Sequence, residues 1–219
     1  MQFADRLEAG RLLADQLAHY ANSAEAVILA LPRGGVPVGF ELARRLSLPL
    51  DIIGVRKLGV PGYEELAFGA ISSGGVRILD PEIVEAFRLT PEIIEEVAAA
   101  EQRELDRRES AFRSGGGLLP VRDRIVILVD DGIATGSTML SAIAAVRRMG
   151  AARVVVAAGV APASTVLDLG SRADEVVCVF TPEDFRAVSL FYSSFPQLTD
   201  EDVRDFLHRA HQRETPRIG

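Results

Sequence analysis

Apolar residues along the chain follow two rhythms. Near-continuous runs rich in Val, Ile and Leu occupy residues 26–31, 51–55, 125–129, 153–160 and 176–180. Runs without polar alternation suit strands covered on both faces, and strands separated by helical patterns predict a parallel sheet. Between them, apolar residues recur at helical spacing. The opening stretch places Phe3, Leu7, Leu13, Leu17 and Tyr20 on one face and ends near Asn22. A helix over residues 38–46 follows, with Pro37 in its first turn. Thr90-Pro91-Glu92 caps a long helix with Ile94, Val97, Ala98, Leu105 and Phe112 on a narrow face. Met139, Leu140, Ile143, Ala144, Val146 and Met149 mark another helix, stopped by Gly150. Shorter helices are expected over residues 164–169 and 203–211, the last opened by Thr199, Asp200, Glu201 and Asp202. Residues 67–71 and 76–79, joined by Ser72-Ser73-Gly74-Gly75, read as a hairpin. Gly and Pro are dense over residues 56–66, which reads as a mobile loop. Gly115-Gly116-Gly117 breaks the chain before the central strand, and the tail from residue 213 reads as frayed.

These elements predict one α/β domain over residues 1–219, a Rossmann-like parallel sheet flanked by helices. Residues 57–117 form a flexible loop or hood insertion in this reading. Its chemistry sits at strand ends, where open α/β sheets place ligands. The run Ile125-Val126-Ile127-Leu128-Val129 passes through Asp130-Asp131 into Gly132-Ile133-Ala134-Thr135-Gly136-Ser137-Thr138 and then a helix. A helix N-terminus offers free N–H groups and partial positive charge, Gly136 permits close approach, and the hydroxyls of Thr135, Ser137 and Thr138 can donate. That is a cradle for a phosphate group. The carboxylates would repel phosphate, so sugar hydroxyls or a hard cation such as Mg²⁺ suit them better. A second loop, Pro32-Arg33-Gly34-Gly35-Val36-Pro37, follows the first strand, and Arg33 can fork two donors onto phosphate oxygens. No Gly-Lys-Ser/Thr occurs, which excludes a Walker-type loop.

The hydrophobic run, Asp130-Asp131, a three-residue step and Thr135-Gly136-Ser137-Thr138 resemble the phosphoribosyl pyrophosphate (PRPP) motif of type I phosphoribosyltransferases. Leu31-Pro32-Arg33-Gly34-Gly35, followed by Leu42-Ala43-Arg44-Arg45-Leu46, is similar to the pyrophosphate loop and next helix of bacterial xanthine-guanine phosphoribosyltransferases. The resemblance implies transfer of phosphoribosyl from PRPP to a nitrogenous acceptor, with Mg²⁺ as cofactor. It implies that Asp130 and Asp131 hold ribose hydroxyls and Mg²⁺, the metal directly or through water. Ala134, Thr135, Gly136, Ser137 and Thr138 would wrap the 5′-phosphate. Arg33, Gly34 and Gly35 would take the pyrophosphate, in a loop that in the family carries a strained, at times cis, peptide. Arg56 and Lys57 fall where the family has a basic residue near the pyrophosphate, so Asp130, Asp131, Arg33 and Lys57 form the catalytic set. Phe185 corresponds to the ring that stacks on the base, whereas Phe180, Phe191 and Phe195 read as core.

Two departures concern the acceptor. Ala134 stands where 6-oxopurine enzymes carry a proton-handling aspartate, and alanine transfers no proton. Gly159-Val160-Ala161-Pro162 lacks the lysine that reads the purine oxygen in those enzymes, which argues against hypoxanthine and guanine. A PRPP-sensing regulator without turnover is the alternative. The net charge of −7 and the absence of a separate DNA-binding helix pair weigh against it. A PRPP synthetase-like enzyme is disfavoured by chain length and the Arg-Gly-Gly loop.

Composition sets the outer bounds. With 48% apolar and 25% charged residues the chain has the profile of a globular protein. The acidic balance gives no expectation of nucleic-acid binding, and no run approaches a membrane span. The lone Cys178, inside an apolar run, is expected to be a core residue in a reducing cytoplasm. His19, His208 and His211 are too dispersed to suggest a metal cluster. The expected partners are PRPP and a small-molecule acceptor, with a homo-oligomer left open.

Overall fold

The computed structural model describes residues 1–113 and 117–214. A five-stranded, wholly parallel sheet has the order β2-β1-β6-β7-β8. Its strands are β1 (Ala26–Ala30), β2 (Leu50–Ile52), β6 (Ile125–Gly132), β7 (Arg153–Val160) and β8 (Glu175–Phe180). Strand alternation divides their side chains between two layers. Ile28, Ala30, Ile127, Val129, Val155 and Ala157 pack with α1 (Arg6–Gln16), α2 (Gly35–Leu46) and α7 (Asp200–Glu214). Val27, Leu29, Val126, Leu128, Val154 and Val156 pack with α5 (Ser137–Arg148) and α6 (Ala163–Gly170). Both sets are fully buried, and each large aliphatic side chain among them contributes about 1.5–3 kcal/mol. This two-sided burial is why the strands read as unbroken apolar runs.

A second, antiparallel sheet consists of β3 (Val55–Val60), β4 (Tyr63–Ser72) and β5 (Val76–Leu79). It corrects the sequence reading in two ways. The expected strand over residues 51–55 is two strands in different sheets, and most of the expected mobile loop over residues 56–66 is a hairpin turning at Pro61-Gly62. Leu58 and Val60 point inward with Phe68, Ile71, Ile94, Ala98 and Leu105, forming a separate core with α4 (Pro91–Phe112). The signal was the alternation of Leu58 and Val60, obscured by Lys57, Gly59 and the Pro-Gly turn. A short α3 (Pro81–Ala86), capped by Asp80, was also not anticipated.

The elements at the two termini are adjusted as well. The opening helix begins only at Arg6, because Phe3 instead forms a parallel bridge with Tyr192. The last helix starts at Asp200, with Thr199 Oγ1 accepting from the Asp202 N–H and Asp202 accepting from the Thr199 N–H. Gly115, Gly116 and residues 215–219, which carried the expected break and most of the frayed tail, lie outside the described residues.

Candidate active site

Strand β6 continues through Gly132, so Asp130 and Asp131 are its last side-chain-bearing residues rather than part of a loop. Alternation sends them to opposite faces. Asp131 is in register with Ile127 and Val129 and turns toward α1, where its Oδ2 accepts from Arg6 Nε at 2.7 Å. Its backbone carbonyl accepts from the Tyr192 hydroxyl at 2.6 Å. Asp130 Oδ1 accepts from the Asp131 N–H at 2.8 Å. Burial, reinforced by the neighbouring Asp131 carboxylate, pushes the Asp130 carboxyl well above the usual carboxylate range. Burial likewise pushes the Tyr192 hydroxyl far up, so it acts as a fixed donor.

The loop after β1 closes against this pair. The Pro32–Arg33 peptide is cis. A Cβ on Gly34 would lie 2.2 Å from Asp131 Oδ2, so only glycine lets the loop lie on the acid. Helix α2 then starts at Gly35, earlier than expected, and has no side-chain cap. The corresponding turn after β6 ends on Gly136, whose φ of +79° requires the left-handed region. Helix α5 starts at Ser137, again without a side-chain cap, leaving its first N–H groups free for a ligand. Thr165 Oγ1 donates to the Ala134 carbonyl at 2.7 Å and pins the turn to α6. Ala134, Thr135 and Thr138 are exposed. Helix α5 therefore opens beside the acid pair, whereas the first turn of α2 is closed by the Gly35 N–H donating to the Leu31 carbonyl at 3.0 Å and the Val36 N–H to the Arg33 carbonyl at 3.2 Å.

A family comparison bears on this arrangement. The model for the phosphoribosyl transferase domain matches residues 4–191. The chain belongs to that family. As a member, it is 47% identical over 96% of its length to the Mycobacterium tuberculosis (strain H37Rv) protein named "Putative phosphoribosyl transferase Rv0571c", of which it covers 47%. It thus spans about half the length of the curated relatives it matches. The crystal structure of TT1426 from Thermus thermophilus superposes with a TM-score of 0.84 at 42% identity, covering 95% of this chain and 99% of that one.

Within this phosphoribosyltransferase domain, the expected residues are not all gathered in one place. Arg33 and Gly34 join Arg6, Asp131, Phe195, Pro196, Gln197 and Leu198 around an open pocket of about 420 Å³. That volume falls in the range of small-molecule sites, roughly 300–1,000 Å³. Thr138 lies on the other side of Arg33, in a cavity of about 90 Å³ that also meets Arg56 and Arg108. Lys57, the chain's single lysine, is exposed on β3; its neighbour Arg56 lines the cavity and pairs with Glu101. Phe185 stacks on Phe191, with ring centroids 5.7 Å apart. The ring at the pocket is Phe195, with the Arg6 guanidinium 3.7 Å from its centroid.

Arg6 and Phe195 are the residues that sequence reasoning missed. A signal for Arg6 was present: it shares the buried stripe of α1 with Ala9, Gly10 and Leu13, and a charge on an apolar stripe needs a partner. Among the described residues no group of three or more His, Cys, Asp or Glu is placed to hold a metal. Mg²⁺ commonly takes one or two carboxylates and completes its shell with water and substrate phosphates, so the Asp130-Asp131 pair fits such a shared site. No helix among the described residues is long and apolar enough to cross a membrane.

Proposed function

We propose that this chain transfers the phosphoribosyl group of PRPP to a nitrogen acceptor and releases pyrophosphate. The observation that carries the proposal is the convergence of the uncapped N-terminus of α5, the Arg33-Gly34 loop and an acid pair at the carboxyl ends of β1 and β6. In the reaction the bond from C1 to the pyrophosphate oxygen breaks, its electron pair leaving with pyrophosphate. The acceptor nitrogen's lone pair forms the new bond to C1, and the acceptor's proton goes to solvent or a base.

Each end of the substrate has its own anchor. The turn from Ala134 to Thr138 and the start of α5 bind the 5′-phosphate through N–H and hydroxyl donors. Asp131 and Asp130 take the ribose hydroxyls between the anchors. Arg33, at the Gly34-Gly35 turn, binds the pyrophosphate and stabilises the charge that grows on it. Asp130 and Asp131 would hold Mg²⁺, directly or through water, and the ion would supply further neutralisation of that leaving group. Lys57 contributes long-range positive charge from β3. Residues 57–117 serve as a hood whose role is to limit water at C1.

The acceptor reaches C1 from the side opposite the pyrophosphate. Ala134 carries no proton-transferring group and residues 159–162 carry no lysine, so guanine and hypoxanthine are poor acceptors. Phe185, packed on Phe191, stacks on a base only if that pair opens.

The test is a screen for pyrophosphate release from PRPP and Mg²⁺ with guanine, hypoxanthine, xanthine, adenine, uracil and orotate. Release that depends on one acceptor supports the proposal. PRPP binding with no release for any acceptor would favour a sensing role instead.

A further inference from the structure

Resting on that substrate reading, we infer that Arg6 is a positioning residue of the sugar site, holding Asp131 in place through a three-point clamp. Its guanidinium donates from Nε to Asp131 Oδ2 at 2.7 Å and from Nη1 to the Pro196 carbonyl at 2.9 Å, and it lies 3.7 Å over the Phe195 ring. Arg6 is only 8% exposed and Asp131 7%. A charge this enclosed is held in one geometry rather than left to sample many.

The clamp is built by elements distant in sequence. Phe3 donates to the Phe191 carbonyl and accepts from the Ser193 N–H, with N···O distances of 2.8 and 2.7 Å. Those bonds bring the first turn of α1 beside Phe195. Asp5 caps the helix through the Glu8 N–H at 2.8 Å, which fixes Arg6 at its first position. Arg6 therefore links strand β6 to the 195–198 segment that walls the pocket. Only one oxygen of Asp131 is used this way. Arg6 acts through Asp131 and is not assigned contact with the reacting atoms.

Two consequences distinguish this role from simple packing. Removing Arg6 should weaken PRPP binding by loosening Asp131, and the effect should vanish when Asp131 can no longer serve the sugar. The experiment is calorimetric titration of PRPP with Mg²⁺ into wild type, Arg6→Gln, Asp131→Asn and the double variant, with circular dichroism and melting curves as fold controls. We expect each single variant to bind about tenfold more weakly or worse, and the double variant to lie within about twofold of the weaker single, since residues acting as a unit are not additive. Arg6→Lys guards against a folding failure of the glutamine variant. One ammonium cannot make both fork bonds, so it should lose about threefold.

Unchanged affinity in the folded Arg6 variants overturns the inference while leaving the substrate reading intact. So do strictly additive losses in the double variant. Tighter binding by Arg6→Gln would mean that Arg6 occupies the sugar's own place, and also overturns it. No binding of PRPP by wild type overturns the substrate reading and this inference with it.

Discussion

Arg33 Nε lies 3.0 Å from Asp200 Oδ1, and Arg33 Nη1 donates to the Leu198 carbonyl at 2.9 Å. The residue proposed to bind pyrophosphate is thus engaged by the start of the C-terminal helix. Among the described residues Asp200 Oδ1 has no hydrogen-bond partner of good geometry, so the contact is an ion pair rather than a directed bond. Both side chains are partly exposed, at 46% and 40%, and such pairs are worth little, roughly 0–1 kcal/mol. Pyrophosphate can therefore displace Asp200 at small cost. Asp200→Asn should raise affinity for pyrophosphate by about threefold, with no matching change for ribose 5-phosphate. Competition titrations with the two ligands decide this, and equal changes would show that Arg33 does not face the pyrophosphate.

The end of α4 is anchored to β2 by a buried polar junction. Arg113 Nε lies 3.1 Å from Asp51 Oδ1, its Nη2 donates to the Ile52 carbonyl at 2.8 Å, and Asp51 Oδ2 accepts from the Leu119 N–H at 2.9 Å. Asp51→Ala leaves the Arg113 charge enclosed without that carboxylate. Unfolding in urea should show a loss of about 2 kcal/mol, because the Leu119 N–H loses its acceptor and, of the Asp51 and Glu109 carboxylates, Arg113 keeps only Glu109, 2.7 Å away. A loss below about 1 kcal/mol would place the anchoring elsewhere.

Cys178 gives a pH-dependent prediction. Burial pushes its thiol up to about 11, and its Sγ donates to the Phe180 carbonyl at 3.3 Å. At pH 8 about 0.1% is thiolate, so alkylation of the native protein should be slow and should accelerate about tenfold per pH unit. The native state holds this proton more tightly than the unfolded chain. The contribution to stability is therefore complete below the ordinary thiol range and is lost as pH rises from about 9 toward 11. Rapid labelling at pH 8 would contradict the burial argument.

How much of this could be read in advance depended on how local the cause was. The loops at Arg33 and Thr135 were legible, because a buried strand, a Gly-rich turn and a helix start are adjacent in sequence and each leaves its own residue types. Strand β3 was not, since its pairing with β4 overrides the Gly and Pro content that suggested a loop. The Arg6–Asp131 pair joins residues 125 positions apart, and Asp51 and Arg113 are 62 apart. Pairings of that separation are fixed by the sheet order, which no local pattern states. Phe195 was read as core for the same reason: nothing near it in sequence reveals that Arg6 arrives over its ring.

That the Gly136 turn and the acid pair of β6 hold PRPP is tested most directly by calorimetric titration of PRPP with Mg²⁺ into wild type and Gly136→Asp. Gly136 has a φ of +79°, and a Cβ there would lie 3.1 Å from Thr165 Cγ2, so the variant places a carboxylate at the phosphate cradle in a confined space. Saturable binding by wild type is expected, with a loss of at least about tenfold in the variant and circular dichroism showing a retained fold. Equal affinity in the two proteins, or no binding by wild type, would contradict this assignment.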